Sequence, residues 1–273
     1  MLFTLLEWGC FLQTIANPTQ GQTMKSWTWR AVGASAALIC GPAAAGDGAT
    51  SLAMGPVPVG YAAASFESPV AFGASWGSVG IGMVTERQKG DASLSVAAGL
   101  GDPDESAGLD VAVVLSSLSD SSLGSGGFGD EGSFSIKLHR NLGGYTAIAA
   151  GASAVGQWGG SVFDANNPAG HYLAITRAVF VGEHVLMLSA GAGHNVSNKN
   201  GNDNDIFGSA SFYLTHWLSV ITEYNGFDTN AAVSVAPMAQ WLPLTVTLGY
   251  VDLLSDHNSS PRFCVAAGLG FRF

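Results

Sequence analysis

The sequence predicts an all-β chain folded as a transmembrane, antiparallel, up-and-down β-barrel of about twelve strands. Three observations predict it. The last stretch, Arg262 to Phe273, alternates with a strict period of two: Phe263, Val265, Ala267, Leu269, Phe271 and Phe273 share one face, and Arg262, Cys264, Ala266, Gly268, Gly270 and Arg272 share the other. The composition is 47% hydrophobic and only 11% charged, yet no run of about twenty apolar residues offers a helical membrane span. Runs patterned like the last one recur along the chain, separated in turn by short and by long polar connections.

The chain opens on a leader, residues 1–45. Lys25 and Arg30 form a basic start after Met24, Ala31 to Ala45 is a small-residue apolar run, and Ala43-Ala44-Ala45 before Gly46 fits a signal-peptide cleavage site. The signal peptide is therefore expected over 24–45, with cleavage near Gly46. Residues 1–23 carry only Glu7 as a charge and read as an over-extended gene start; the alternative is a folded helix using Leu5, Trp8, Phe11 and Leu12. Ala37-Leu38-Ile39 ahead of Cys40 lacks the small residue of a lipid-attachment site. Once the leader is removed Cys264 is the only cysteine, which excludes an intrachain disulfide and a cysteine metal site. A formal net charge of −10 argues against nucleic acid, which needs clustered Lys and Arg.

Residues 46–73, rich in Gly, Ala and Ser with Pro56, Pro58 and Pro69, read as a flexible lead-in or a plug inside the barrel. The barrel is expected over 74–273. Trp76 to Glu86 sets Val79, Ile81 and Met83 against Ser78, Gly80 and Gly82; Ala92 to Gly101 sets Leu94, Val96, Ala98 and Leu100 against Ser93 and Ser95. Leu109 to Leu118 repeats the scheme with Asp110 and Ser116 on the polar side. In Ser133 to His139, Phe134, Ile136 and Leu138 alternate with Ser135, Lys137 and His139, and a lysine between leucines needs a wet inner face. Tyr145 to Val155 is nearly all small residues on both faces. Tyr172 to Phe180 places Arg177 in phase with Leu173 and Ile175, but lipid disfavours a charge, so Arg177 is expected in the lumen. His184 to Gly193, Ile206 to Leu214, Leu218 to Tyr224, Thr229 to Ala236 and Leu242 to Val251 complete the set before the final strand, with Ser209, Ser211, Ser219, Glu223, Thr245 and Thr247 inward.

The ending resembles the C-terminal signal of bacterial outer-membrane β-barrels, in which the assembly machinery reads a final aromatic and the apolar positions before it, here Phe273, Phe271 and Leu269. The runs FGASWGSVGIGM, AAGLGDPDESAGLDVAV, FSIKLHR and NDNDIFGSASF resemble a group of small porin-like barrel proteins familiar from cyanobacteria, and ITEYNGFDTNAAVSV resembles barrels tied to exopolysaccharide export. The resemblance implies a Gram-negative outer-membrane location and the fold; it carries over no functional residues.

Asp110, Lys137, His139, Arg177, Glu223 and Arg262 are the expected lumen-lining residues, with Arg272 near the rim. Trp76, Tyr172, Tyr224, Tyr250 and Phe273 read as an interfacial girdle. Asp203 and Asp205 offer oxygen ligands but lack the spacing of a calcium loop, so no metal and no cofactor are expected. His194 with Ser197 and His257 with Ser255 are chance-level hydrolase pairs in polar loops. Because large inward side chains are scarce in this reading, the expected function is a narrow passive channel for small solutes. The alternatives are a structural or envelope-interaction barrel and, third, a lipid-modifying enzyme; the expected partners are outer-membrane lipid, the assembly machinery and small solutes.

Overall fold

The computed structural model describes residues 61–86, 92–116, 118, 128–159, 168–196, 204–238, 242–254 and 260–273. Twelve strands follow one another: β1 Ser78–Glu86, β2 Ala92–Gly101, β3 Gly108–Leu115, β4 Gly132–Gly143, β5 Thr146–Trp158, β6 Gly170–Val181, β7 His184–His194, β8 Asn204–Thr215, β9 Leu218–Tyr224, β10 Thr229–Val235, β11 Leu244–Val251 and β12 Arg262–Arg272. Each pairs antiparallel with its neighbour in sequence, and β12 pairs with β1, so the sheet closes and leaves no edge. No helix occurs among the described residues. The connections at one end of the barrel are 102–107, 144–145, 182–183, 216–217 and 236–243; those at the other end include the longest, 116–131.

The alternation places polar side chains inside and apolar ones outside. Ser93, Ser95, Asp110, Ser135, Lys137, Thr176, Ser211, Ser219, Glu223, Asn230, Ser234 and Thr247 are all buried. Ile81, Val96, Ile136, Leu173, Leu188, Ile206, Val220, Val233, Leu248 and Phe271 are all exposed. A soluble barrel would show the reverse polarity. The β12 face is as the alternation predicts, with Cys264, Ala266, Gly268 and Gly270 buried and Phe271 and Phe273 exposed.

Two facings differ from the sequence reading. Arg177 is exposed on the outer face of β6, in phase with Leu173 and Ile175, because the β6 ladders to Thr146 on β5 and Leu188 on β7 fix its parity. It lies near the end with the short connections, where its flexible stem lets the charge reach past the apolar band. Tyr172 is buried and packs edge-on against Phe207 at 6.1 Å inside the barrel, so it is no girdle residue; Trp76, Tyr224, Tyr250 and Phe273 are exposed. In β5 the register against β4 shifts between Phe134 and Ile136, and Ala154 adopts φ 52° there. This bulge buries Ser153 and Ala154 in succession, which a strict alternation cannot produce.

Gly249 on β11 shows how tightly the interior is filled. A Cβ built on it would lie 2.7 Å from the ring of Phe66, a residue of the segment before β1. Gly249→Val should therefore displace Phe66 and cost about 1–3 kcal/mol by overpacking. A urea midpoint for the refolded barrel equal to that of the unaltered chain would count against this placement of Phe66.

Candidate functional site

The interior of the barrel is occupied by residues 61–75, which form neither helix nor strand. Backbone in such a place must find partners for its N–H and C=O groups, and here the inward side chains of the wall supply them. Near the short-connection end, Ala62 N donates to His216 O at 2.8 Å, Tyr213 donates to Ala62 O at 3.1 Å, Ala63 N donates to Ser234 Oγ at 2.8 Å and Ser219 donates to Ala63 O at 2.7 Å. The chain then rises to Glu223, near the far end of β9. It returns past Ser189, which donates to Pro69 O at 3.2 Å, and Thr176, which accepts from Ala71 N at 2.8 Å. At the short-connection end again, Trp76 N donates to Gly101 O at 2.8 Å. The segment is thus a loop that enters and leaves at the same end.

Its apex is held by an acid. The Glu223 carboxylate accepts from three successive amides, Phe66 N at 2.9 Å, Glu67 N at 2.6 Å and Ser68 N at 3.2 Å, and from Asn230 Nδ2 at 3.1 Å. Three consecutive N–H groups turned to one carboxylate make an anion-binding concavity, filled here by a wall side chain. The Glu67 carboxylate in turn accepts from Asn225 Nδ2 at 2.6 Å and Asn230 Nδ2 at 2.8 Å, so the two acids share one asparagine. Phe66 is fully buried among Val84, Ile221, Ala232, Val251, Cys264 and Ala266.

The descending limb is held by a second charged group. Lys137 Nζ lies 3.0 Å from Asp110 Oδ2 and donates to Phe72 O at 2.7 Å; Ala74 N donates to Asp110 Oδ1 at 2.8 Å. His139 Nε2 lies 3.1 Å from Ala74 O and 3.3 Å from Asp110 Oδ1, two acceptors, so it carries the ring proton. Gly73 is required at this point, because a Cβ there would fall on both His139 and Asp110.

Of the expected lumen residues, Asp110, Lys137, His139 and Glu223 lie inside, bound to the inserted loop. Arg262 sits at the far end, its side chain 15% exposed, 3.5 Å from Asp228. Arg177 is outside. Asp205 is buried and accepts from Val196 N at 2.8 Å; Asp203 lies outside the described residues, among which no three His, Cys, Asp or Glu come together as metal ligands. His194 stacks on His171 at 5.5 Å, and Ser197, Ser255 and His257 lie outside the described residues. Sequence reasoning missed Glu67, Asn225, Asn230, Thr176 and Ser189, and also the inward rings of Tyr172, Phe207 and Tyr213. The available signal was the density of inward Ser, Thr and Asn, more hydrogen-bonding groups than a neighbouring strand can use.

No family model and no curated protein matches the chain.

Proposed function

We propose that this chain is an outer-membrane barrel closed from within by its own residues 61–75, with a structural or envelope-interaction role. The single observation that carries it is the hydrogen bonding of that loop to side chains of β3, β4 and β6 to β11, which leaves the inward polar residues buried. The apolar exterior supports the membrane location, and the leader read over 24–45 would take it there. Kinship with the small cyanobacterial barrels, and a tie to polysaccharide export, rest on the sequence runs alone.

A narrow channel for small solutes is the second reading. It is favoured by the chemistry of the wall, where Ser, Thr, Asn and paired charges would line a water-filled passage if the loop withdrew. Planar-bilayer recording separates the two. The full chain should be electrically silent, and a chain lacking residues 61–75 should pass steady current. Steady current from the full chain would overturn the closed reading in favour of the channel.

A further inference from the structure

The outer face of β4 to β7 mixes large and small side chains. Side chains lie in cross-strand rows: Leu138, Ala150, Leu173 and Ala192 form one, and Arg140, Ile148, Ile175 and Ala190 form the next toward the short-connection end. Ala150 on β5 and Ala190 and Ala192 on β7 stand lower than Leu138, Leu173, Ile148 and Ile175, and the relief leaves an apolar groove of about 790 Å³. Ser106 and Ala107, from the connection between β2 and β3, wall its lower end. That connection is tied to β4, with Asn141 N donating to Pro103 O at 2.9 Å and Asn141 Nδ2 to Asp104 Oδ1 at 2.7 Å.

Two arginines stand at that same end. Arg140 is in the groove lining, and Arg177, opposite Thr146, is one row closer to the rim. Both are exposed and both point outward by strand parity. No hydrogen bond or ion pair among the described residues engages either guanidinium, whereas Lys137 and Arg262 inside the barrel are paired with acids. Near the interface an outward arginine costs only about 0–1 kcal/mol and is placed to meet an anionic headgroup. Two of them beside a groove of this size describe an amphiphile with an anionic head and an apolar tail.

We infer that this face binds one phospholipid, its phosphate on Arg140 and Arg177 and an acyl chain in the groove between Leu138, Leu173 and Ala190. The inference rests on the membrane reading above. Arginine suits the role because its planar fork takes two phosphate oxygens at once.

The full chain, refolded into phosphatidylcholine vesicles containing phosphatidylglycerol and extracted in mild detergent, should retain one phosphatidylglycerol by native mass spectrometry. Arg140→Ala with Arg177→Ala should lower that retention about tenfold, the loss of roughly 1.4 kcal/mol. Ala150→Leu with Ala190→Leu, which fills the groove and leaves the charges alone, should lower it as well. Heat-modified gel migration reports folding in every variant. Equal retention in folded variants, or equal retention of uncharged diacylglycerol, would overturn the inference. So would displacement of the lipid by millimolar inorganic phosphate, which would mark a bare anion site. A chain that never inserts into vesicles overturns the membrane reading and this inference with it; a chain that inserts but retains no lipid overturns only the inference.

Discussion

Glu223→Ala is expected to release the inserted loop while the barrel stays closed. The substitution strips the acceptor from three buried amides at the loop's apex, while Asn230 keeps its bond to Glu67. A buried donor left unsatisfied costs about 1–3 kcal/mol, so losing this cluster should cost the loop about 3–5 kcal/mol of its hold on the wall. The strand ladders do not pass through the Glu223 side chain, so their hydrogen bonds survive. Cys264, buried beside Phe66, supplies the readout: a maleimide should leave it unlabelled in the unaltered chain and label it in Glu223→Ala, as judged by peptide mapping. Glu223→Gln keeps a carbonyl oxygen and should give a smaller effect. If Cys264 in Glu223→Ala stays as protected as before, the apex contacts do not hold the loop.

Leu269→Arg and Val265→Arg should do the opposite, leaving the loop alone and lowering the stability of the inserted barrel. Both positions face outward on β12, where Leu269 pairs with Ile81 and Leu244, and Val265 with Thr85 and Leu248. Arginine at mid-depth on a lipid face costs about 2–4 kcal/mol, falling to about 0–1 near the interface. Urea unfolding in vesicles, followed by gel migration, should therefore show a lower midpoint for each variant. An unchanged midpoint for both variants would contradict a lipid-facing β12 exterior.

The closing strand also shows how one alternation serves two purposes. Gly268 and Gly270 face inward opposite Gly82 and Gly80 on β1, so the seam where the barrel closes carries no inward side chains at those rows. The outward Leu269 and Phe271 meet Ile81 and Val79 across the same seam, which joins the apolar band without a gap. Closure therefore depends on strand pairing outside and on small residues inside, and a bulky inward residue at Gly268 would crowd the lumen rather than the lipid face.

Strand number, antiparallel order and most facings were determined by the sequence itself, because a period of two with polar turns is a local property that each run carries independently. Val79, Ile81 and Met83 against Ser78, Gly80 and Gly82 need no knowledge of any other strand. The period of two already sets Arg177 in phase with Leu173 and Ile175; the cost of a charge in lipid points it inward instead, but the ladder to Thr146 and Leu188 holds it outward, since a strand cannot turn one residue over without a bulge. What only the tertiary structure decided is the fate of the lumen. Residues 61–75 have no periodicity, and their hydrogen bonds go to partners such as Glu223, 157 positions away from Phe66. Whether a small, proline-containing segment fills a barrel depends on the matching of its amides and carbonyls to side chains on eight of the twelve wall strands, and such matching exists only after the barrel has closed.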